Sequence, residues 1–284
     1  MGGVFLRSRK EEILEILTKS HNKFTAKELA DKLQIDRANV SRYLNELTKL
    51  GTDGIRLDEG FDGSKEAMLS YNPEGLAIEL NMSNNVVYLE NILSYEANEP
   101  FIYGCHNFYP QEGSALPYDF FVSCSQRFKR HGIKTAAFVT SQSAKGGPWD
   151  VNDGLPTLEM HRHLPLDLKA RHMFATGLID VVIIGNAYAS DEELRSLAAI
   201  DRYKLSLGIV FVPQATKLEK KIVAYPKHFR RGDITASAIR STMVRVKYAE
   251  QTNPAHDNTK EFQRGDVVIG MMTLESIKMS SRSF

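Results

Sequence analysis

The chain has 284 residues, with 36 Lys and Arg against 35 Asp and Glu for a formal net charge of +1, and 42% of its residues are hydrophobic. That is an ordinary soluble profile, and no run nears the roughly 18 consecutive apolar residues of a membrane helix. The start, Met1-Gly2-Gly3-Val4-Phe5-Leu6-Arg7, has neither the basic segment nor the apolar core of a secretory signal, so a cytoplasmic location is expected. Cys105 and Cys124 are too few for a disulfide framework or a cysteine zinc site, and no metal or cofactor is expected.

Charge is uneven: residues 1–51 carry 10 Lys and Arg against 7 Asp and Glu. In that segment Ile13, Leu14, Ile16 and Leu17 recur at helical spacing, which predicts a first helix. Thr25-Ala26-Lys27-Glu28 is a capping box that opens a short second helix. Gln34-Ile35-Asp36 makes a turn, and Val40, Leu44, Leu47 and Leu50 form the buried stripe of a third helix ending at Gly51. This is a helix-turn-helix order, and Arg37, Asn39, Ser41, Arg42 and Asn45 would face bases and phosphates. The stretch from Phe24 to Asn45 resembles the DNA-binding segment of bacterial phosphotransferase-system transcription regulators. The hairpin wing of such modules is missing, and the alternative is a plain three-helix cap with a solvated polar face.

After Gly51 short apolar runs alternate with helical stretches: Gly54–Leu57, Ala77–Leu80, Ile102–Cys105, Thr135–Val139 and Val181–Ile184. Strands alternating with helices predict a parallel sheet, either doubly wound or part of a (β/α)8 barrel, with the chemistry at the carboxyl ends of the strands. Alternation puts Arg56 and Asp58 on one face, and Glu79 and Asn81 on the corresponding face of the next strand. Two carboxylates on adjacent strands, Asp58 and Glu79, suit hydrolysis of a glycosidic bond, which needs an acid and a nucleophile or base. The alternative is that Arg56 pairs with Asp58 or Glu79 to fill a polar layer of the barrel.

The segments Leu50 to Asp58, Ile78-Glu79-Leu80-Asn81, Cys105-His106-Asn107-Phe108-Tyr109-Pro110, Leu155 to Arg162 and Ile184 to Ser190 resemble the bacterial 6-phospho-N-acetylmuramidase family, over residues 50 to 266. The resemblance implies a TIM barrel with a small β domain, acting in peptidoglycan recycling on disaccharides that end in N-acetylmuramic acid 6-phosphate. Under it, Asp58 and Glu79 are the hydrolytic pair and Glu159 a reserve acid. His106, Asn107 and Tyr109 would hold sugar hydroxyls, His161 and Arg162 the far wall, and Arg56, Asn81, Gln142 and Asn186 complete the substrate site. Barrel enzymes often bind phosphate in the loops after their last strands, which points to Lys145, Gly146 and Gly147. The other such loop reads as a helix start, because Ser190 and Glu193 form a capping box.

The resemblance begins at the family's fourth barrel strand, so a partial TIM barrel of about five βα units is expected, joined to the helix-turn-helix. Three domains follow: 1–51, 52–204, and a truncated β domain over 205–284 with strands at Leu207–Val212, Ile222–Ala224, Ser237–Val246 and Asp266–Ile269. Arg240 there would reach a carboxylate or phosphate, or lie in a surface salt bridge. An incomplete barrel leaves open edges, which a second copy would cover as a homodimer, and activity itself is in question. The alternative function is a DNA-binding regulator with a phosphosugar-sensing domain.

Overall fold

The structure is a computed structural model, and it describes residues 51, 53–57, 60, 62–72, 75–84, 87–148, 150–226, 228–233, 235–241, 243–254 and 261–270. The helix-turn-helix residues Arg37, Asn39, Ser41, Arg42 and Asn45, and the carboxylate Asp58, lie outside them.

Among the described residues five strands form one sheet: β1 (Gly54–Leu57), β2 (Ala77–Asn81), β3 (Ile102–Cys105), β4 (Lys134–Val139) and β5 (Val181–Ile184). They lie in the order β1-β2-β3-β4-β5 and every pair is parallel. A doubly wound sheet reverses its strand order at a switch point, and the five described strands do not. Consecutive order is that of a (β/α)-barrel segment. The intervening helices are α1 (Ser64–Leu69), α2 (Tyr88–Leu93), α3 (Tyr118–Arg130) and α4 (Leu166–Ala175), and α5 (Asp191–Ala198) follows β5.

The alternation of strand side chains divides the sheet. One face carries Leu57, Ile78, Leu80 and Ile102, packed with Leu89, Ile92 and Phe128 of the helices. Further along, Ala137 and Val139 pack with Phe121, Leu166 and Met173. α3 earns its place through Phe121, Cys124, Ser125 and Phe128, a buried stripe at helical spacing, and its last turn carries Arg127, Lys129 and Arg130, which suit the negative helix end. At Gly104 the helix comes so close that a Cβ would stand 2.6 Å from the Phe128 ring, so any larger residue would force the ring or the helix to shift.

The other face bears the register partners Arg56, Glu79 and Tyr103, followed by Asn81, Cys105 and Ala136. Cys105, Ala136 and Phe138 form a small cluster of their own there, with Phe108 and Ile183 against it. This second face is thus charged toward β1 and β2 and apolar toward β4 and β5.

The described residues divide between Ser206 and Leu207 into two compact units. In the second, the expected β domain is corrected: among the described residues it contains helices α6 (Lys217–Val223) and α7 (Val244–Lys247) and no strand. Thr216 caps α6, accepting from the Glu219 amide while the Glu219 carboxylate accepts from the Thr216 amide. That reciprocal cap, ahead of a run of good helix formers, outweighs the strand-like Ile222–Ala224. Leu207–Val212 and Asp266–Ile269 are irregular, and Val210 is 96% exposed. β-propensity expresses packing against a neighbouring strand, and without one it forms no ladder.

Candidate active site

Arg56, within β1, is the centre of the polar half of this second face. Its Nη1 donates to Glu79 Oε1 at 3.0 Å and its Nη2 to Asn107 Oδ1 at 2.5 Å. The register explains the first contact, because Arg56 and Glu79 are Cα partners on adjacent strands. The second reaches across β2 to the residue two beyond the end of β3. The two side chains are 9% and 19% exposed, so the pair is largely desolvated yet keeps an open edge. Asn81 follows on the same face, and its Oδ1 accepts from the Ser83 amide, closing the turn that leaves β2.

Residues 106 to 109 bring two kinds of side chain to this place. Asn107 and Tyr109 are half-buried, and burial pushes the Tyr109 phenol up from its ordinary pKa, with Ser83 acting against it. His106 is fully buried instead. It points toward the helices, with Nε2 2.9 Å from Ser125 Oγ and Nδ1 3.2 Å from Ser83 Oγ, and its ring lies against Phe121. Burial first, and the Arg56 charge second, lower its pKa to about 3. The expectation that His106 touches sugar is therefore corrected: no ring nitrogen is available.

Glu159, expected as a reserve acid, is corrected as well. Its oxygens accept from Arg162 Nε and Nη2, each at 2.7 Å, and from the amides of Gly113 and Ala115. The Arg162 guanidinium, helped by those amides against the effect of burial, holds the carboxyl down at about 2. A group so strongly ionised is a poor proton donor near neutral pH. Arg162 does not line a wall either. It is buried, and it donates to the carbonyls of Tyr109, Gln111, Asp153 and Gly154. His161 is buried beside it, with Nε2 2.8 Å from His172 Nδ1. Burial and the neighbouring His172 lower its pKa to about 3.

The loop after β4 was expected to hold phosphate. Its Ser141 and Ser143 hydroxyls and the Gln142 amide donate to the Glu193 carboxylate. The same carboxylate accepts from the Ser190 amide as the cap of α5. Burial opposes its ionisation, but these donors outweigh burial and hold its pKa at about 2. An internal anion thus takes the donors at the start of the loop. Asn186 is buried and bonds the backbone of Ser141 and Ala144, and Gln142 Nε2 donates to the Arg162 carbonyl. Lys145, Gly146 and Gly147 are exposed, with Gly146 bridged to Ala187. Arg240, in the second unit, pairs with the exposed Asp233, as does Arg231, so the salt-bridge alternative describes it.

Two residues escaped sequence reading. Lys169 is fully buried on α4, and its Nζ donates to the carbonyls of Thr140 and Arg162 at 2.6 and 3.3 Å. Burial lowers its pKa to about 8. The available signal was a lysine set within the buried stripe Leu166, Ala170 and Met173. Thr157 is buried too, joining the Phe138 amide to the Asn107 carbonyl, and nothing in its local sequence marks it. Among the described residues no group of three or more His, Cys, Asp or Glu could hold a metal ion. No helix among them is long and apolar enough to cross a membrane.

Comparison with known proteins places these features in a family. A model described as 6-phospho-N-acetylmuramidase, N-terminal, matches residues 10–199, and its C-terminal counterpart matches residues 205–279. The matched span reaches further at both ends than the motif resemblance, and it takes in most of the segment read as a helix-turn-helix. Among solved structures, an uncharacterized B. cereus protein is 45% identical, with 88% of this chain and 78% of that chain covered at a TM-score of 0.71. A conserved Enterococcus faecalis protein with an unknown function is 27% identical over 53% of this chain and 42% of its own, at a TM-score of 0.47. No curated protein matches.

Proposed function

This chain belongs to the 6-phospho-N-acetylmuramidase family, and from that premise we propose that it hydrolyses the glycosidic bond of disaccharides ending in N-acetylmuramic acid 6-phosphate, as a cytoplasmic step of peptidoglycan recycling. The observation that carries the reading is the Arg56–Glu79–Asn107 bridge across β1, β2 and the residues after β3, on the face of the sheet opposite the one packed against α1 to α3. Glycosidases of this kind work with two carboxylates and an oxocarbenium-like transition state. Glu79, held by Arg56 at 3.0 Å, is the proposed nucleophile or base. Asp58, two residues beyond Arg56, is the second carboxylate of the proposal. Asn81, Asn107 and Tyr109 supply polar contacts to sugar hydroxyls, and Phe108 with Phe138, rings 5.1 Å apart, supplies an apolar surface.

The test is incubation of the chain with the phosphorylated disaccharide and detection of released N-acetylmuramic acid 6-phosphate by mass spectrometry. Glu79→Gln and Asp58→Asn should each lower kcat by roughly 10²- to 10⁴-fold, the usual worth of a positioned acid or base. No release by the unaltered chain, or full activity in Glu79→Gln, sinks the proposal.

A further inference from the structure

Behind the Arg56–Glu79–Asn107 bridge lies a second row of polar groups whose hydrogens can be assigned by counting donors. The Ser125 hydroxyl donates to the Phe121 carbonyl at 2.7 Å. A serine has one hydroxyl proton, so Ser125 Oγ can only accept from the His106 Nε2 that lies 2.9 Å away. His106 Nε2 therefore carries the ring proton. Its other nitrogen, Nδ1, is then an acceptor and takes the hydroxyl proton of Ser83 at 3.2 Å. With that proton committed, Ser83 Oγ is left to accept, and it accepts from the Asn107 amide at 2.8 Å. The opposite tautomer would set the lone pairs of Nε2 and Ser125 Oγ against each other for as long as Ser125 keeps its bond to the Phe121 carbonyl.

We infer that His106 is a positioning residue: its fixed Nε2–H tautomer orients Ser83, Ser83 anchors the Asn107 backbone, and Asn107 holds the Arg56 guanidinium that grips Glu79. The inference rests on Glu79 being the catalytic carboxylate. The buried ring, kept neutral by its surroundings, is a rigid support with a donor at one end and an acceptor at the other. A reacting group held through such a support loses rate when the support shifts, even by about 1 Å.

Nitrogen-15 NMR of the histidine ring in the full chain reads the tautomer directly, and a neutral Nε2–H ring from pH 5 to 8 is expected. Ser125→Ala removes one fully buried hydroxyl on α3 and should mix the tautomers and speed exchange of the Asn107 amide proton. On the phosphorylated disaccharide it should lower kcat by roughly tenfold with KM unchanged, a fraction of the about 100-fold that a 1 Å misplacement can cost. His106→Gln, which keeps one donor and one acceptor, should retain more activity than His106→Leu. If either histidine variant fails to fold, Ser125→Ala alone decides. An Nδ1–H tautomer, or mixed tautomers in Ser125→Ala with Asn107 exchange and kcat unchanged, overturns the inference. A chain without hydrolytic activity overturns the proposed function instead, while the tautomer and the Asn107 exchange still test the support.

Discussion

Arg162 and Glu159 meet as a two-bonded pair, Nε to Oε1 and Nη2 to Oε2, each at 2.7 Å, with the arginine side chain 1% exposed and the glutamate 31%. The unequal exposure decides what each contributes. Removing the glutamate leaves a buried guanidinium that still has four carbonyl partners, whereas removing the arginine strands those carbonyls and the carboxylate together.

Arg162→Met should accordingly destabilise the chain by about 3–5 kcal/mol, the range for breaking a buried ion pair from one side. Glu159→Gln should cost about 1–3 kcal/mol, since the remaining oxygen keeps one of the two amides, Gly113 or Ala115, and the new NH2 group faces the other. Urea denaturation measures both, and an equal or smaller loss for Arg162→Met would contradict this account of the pair.

Acid should unfold the protein in two stages. His106 and His161 have pKa values near 3, lowered from 6.5, and His172 is lowered as well, mainly by burial in each case. The folded rings stay neutral while unfolded ones take up protons, so this stability is complete above pH 6.5 and is lost as the pH falls below it. Glu159 and Glu193, near 2 rather than 4.5, add a second loss below pH 4.5. Thermal melts should show Tm falling from about pH 6.5 downward. His106→Gln should flatten the upper part of that fall, and an unchanged slope would show that His106 titrates normally.

Glu193 anchors two loops at once. Glu193→Ala should cost about 2–3 kcal/mol, because hydrogen bonds to a charged group are worth about 1.5–3 kcal/mol each but are not additive here. The local signature is amide exchange: the Gln142 and Ser190 protons, both donated to this carboxylate, should exchange faster. Protection of both in the variant would mean that the loop is held by Asn186 alone.

Gly104→Ala tests the packing of α3 on the sheet. The new Cβ would lie 2.6 Å from Phe128 Cδ1 and 3.0 Å from Met82 Sδ, and overpacking of this size costs about 1–3 kcal/mol. A variant as stable as the parent would mean that α3 can move away from β3 freely.

The strands were legible before folding was considered, because each is a short run with apolar residues on the helix-facing side, and the five lie where alternation places them. The place of Glu79 and Arg56 on one face followed from the same period of two. The capping box at Ser190 and Glu193 was equally plain, since it depends only on residues three apart. By contrast, Ile222–Ala224 misled, because a β-branched run reads as strand while Thr216 and Glu219, just ahead of it, start a helix.

Local order and the side of the sheet each strand residue takes are therefore properties of the chain itself, since they arise from contacts between near neighbours. Only the tertiary structure decided which polar groups are spent. His106, Glu159, Arg162 and Asn186 look like ligand-binding residues in a row of letters, yet their partners lie as far as 53 positions away. Whether a histidine or a carboxylate is available to a substrate depends on who occupies its hydrogen bonds and how far water reaches it. Both are set by loops that meet only once the sheet has brought its strand ends together.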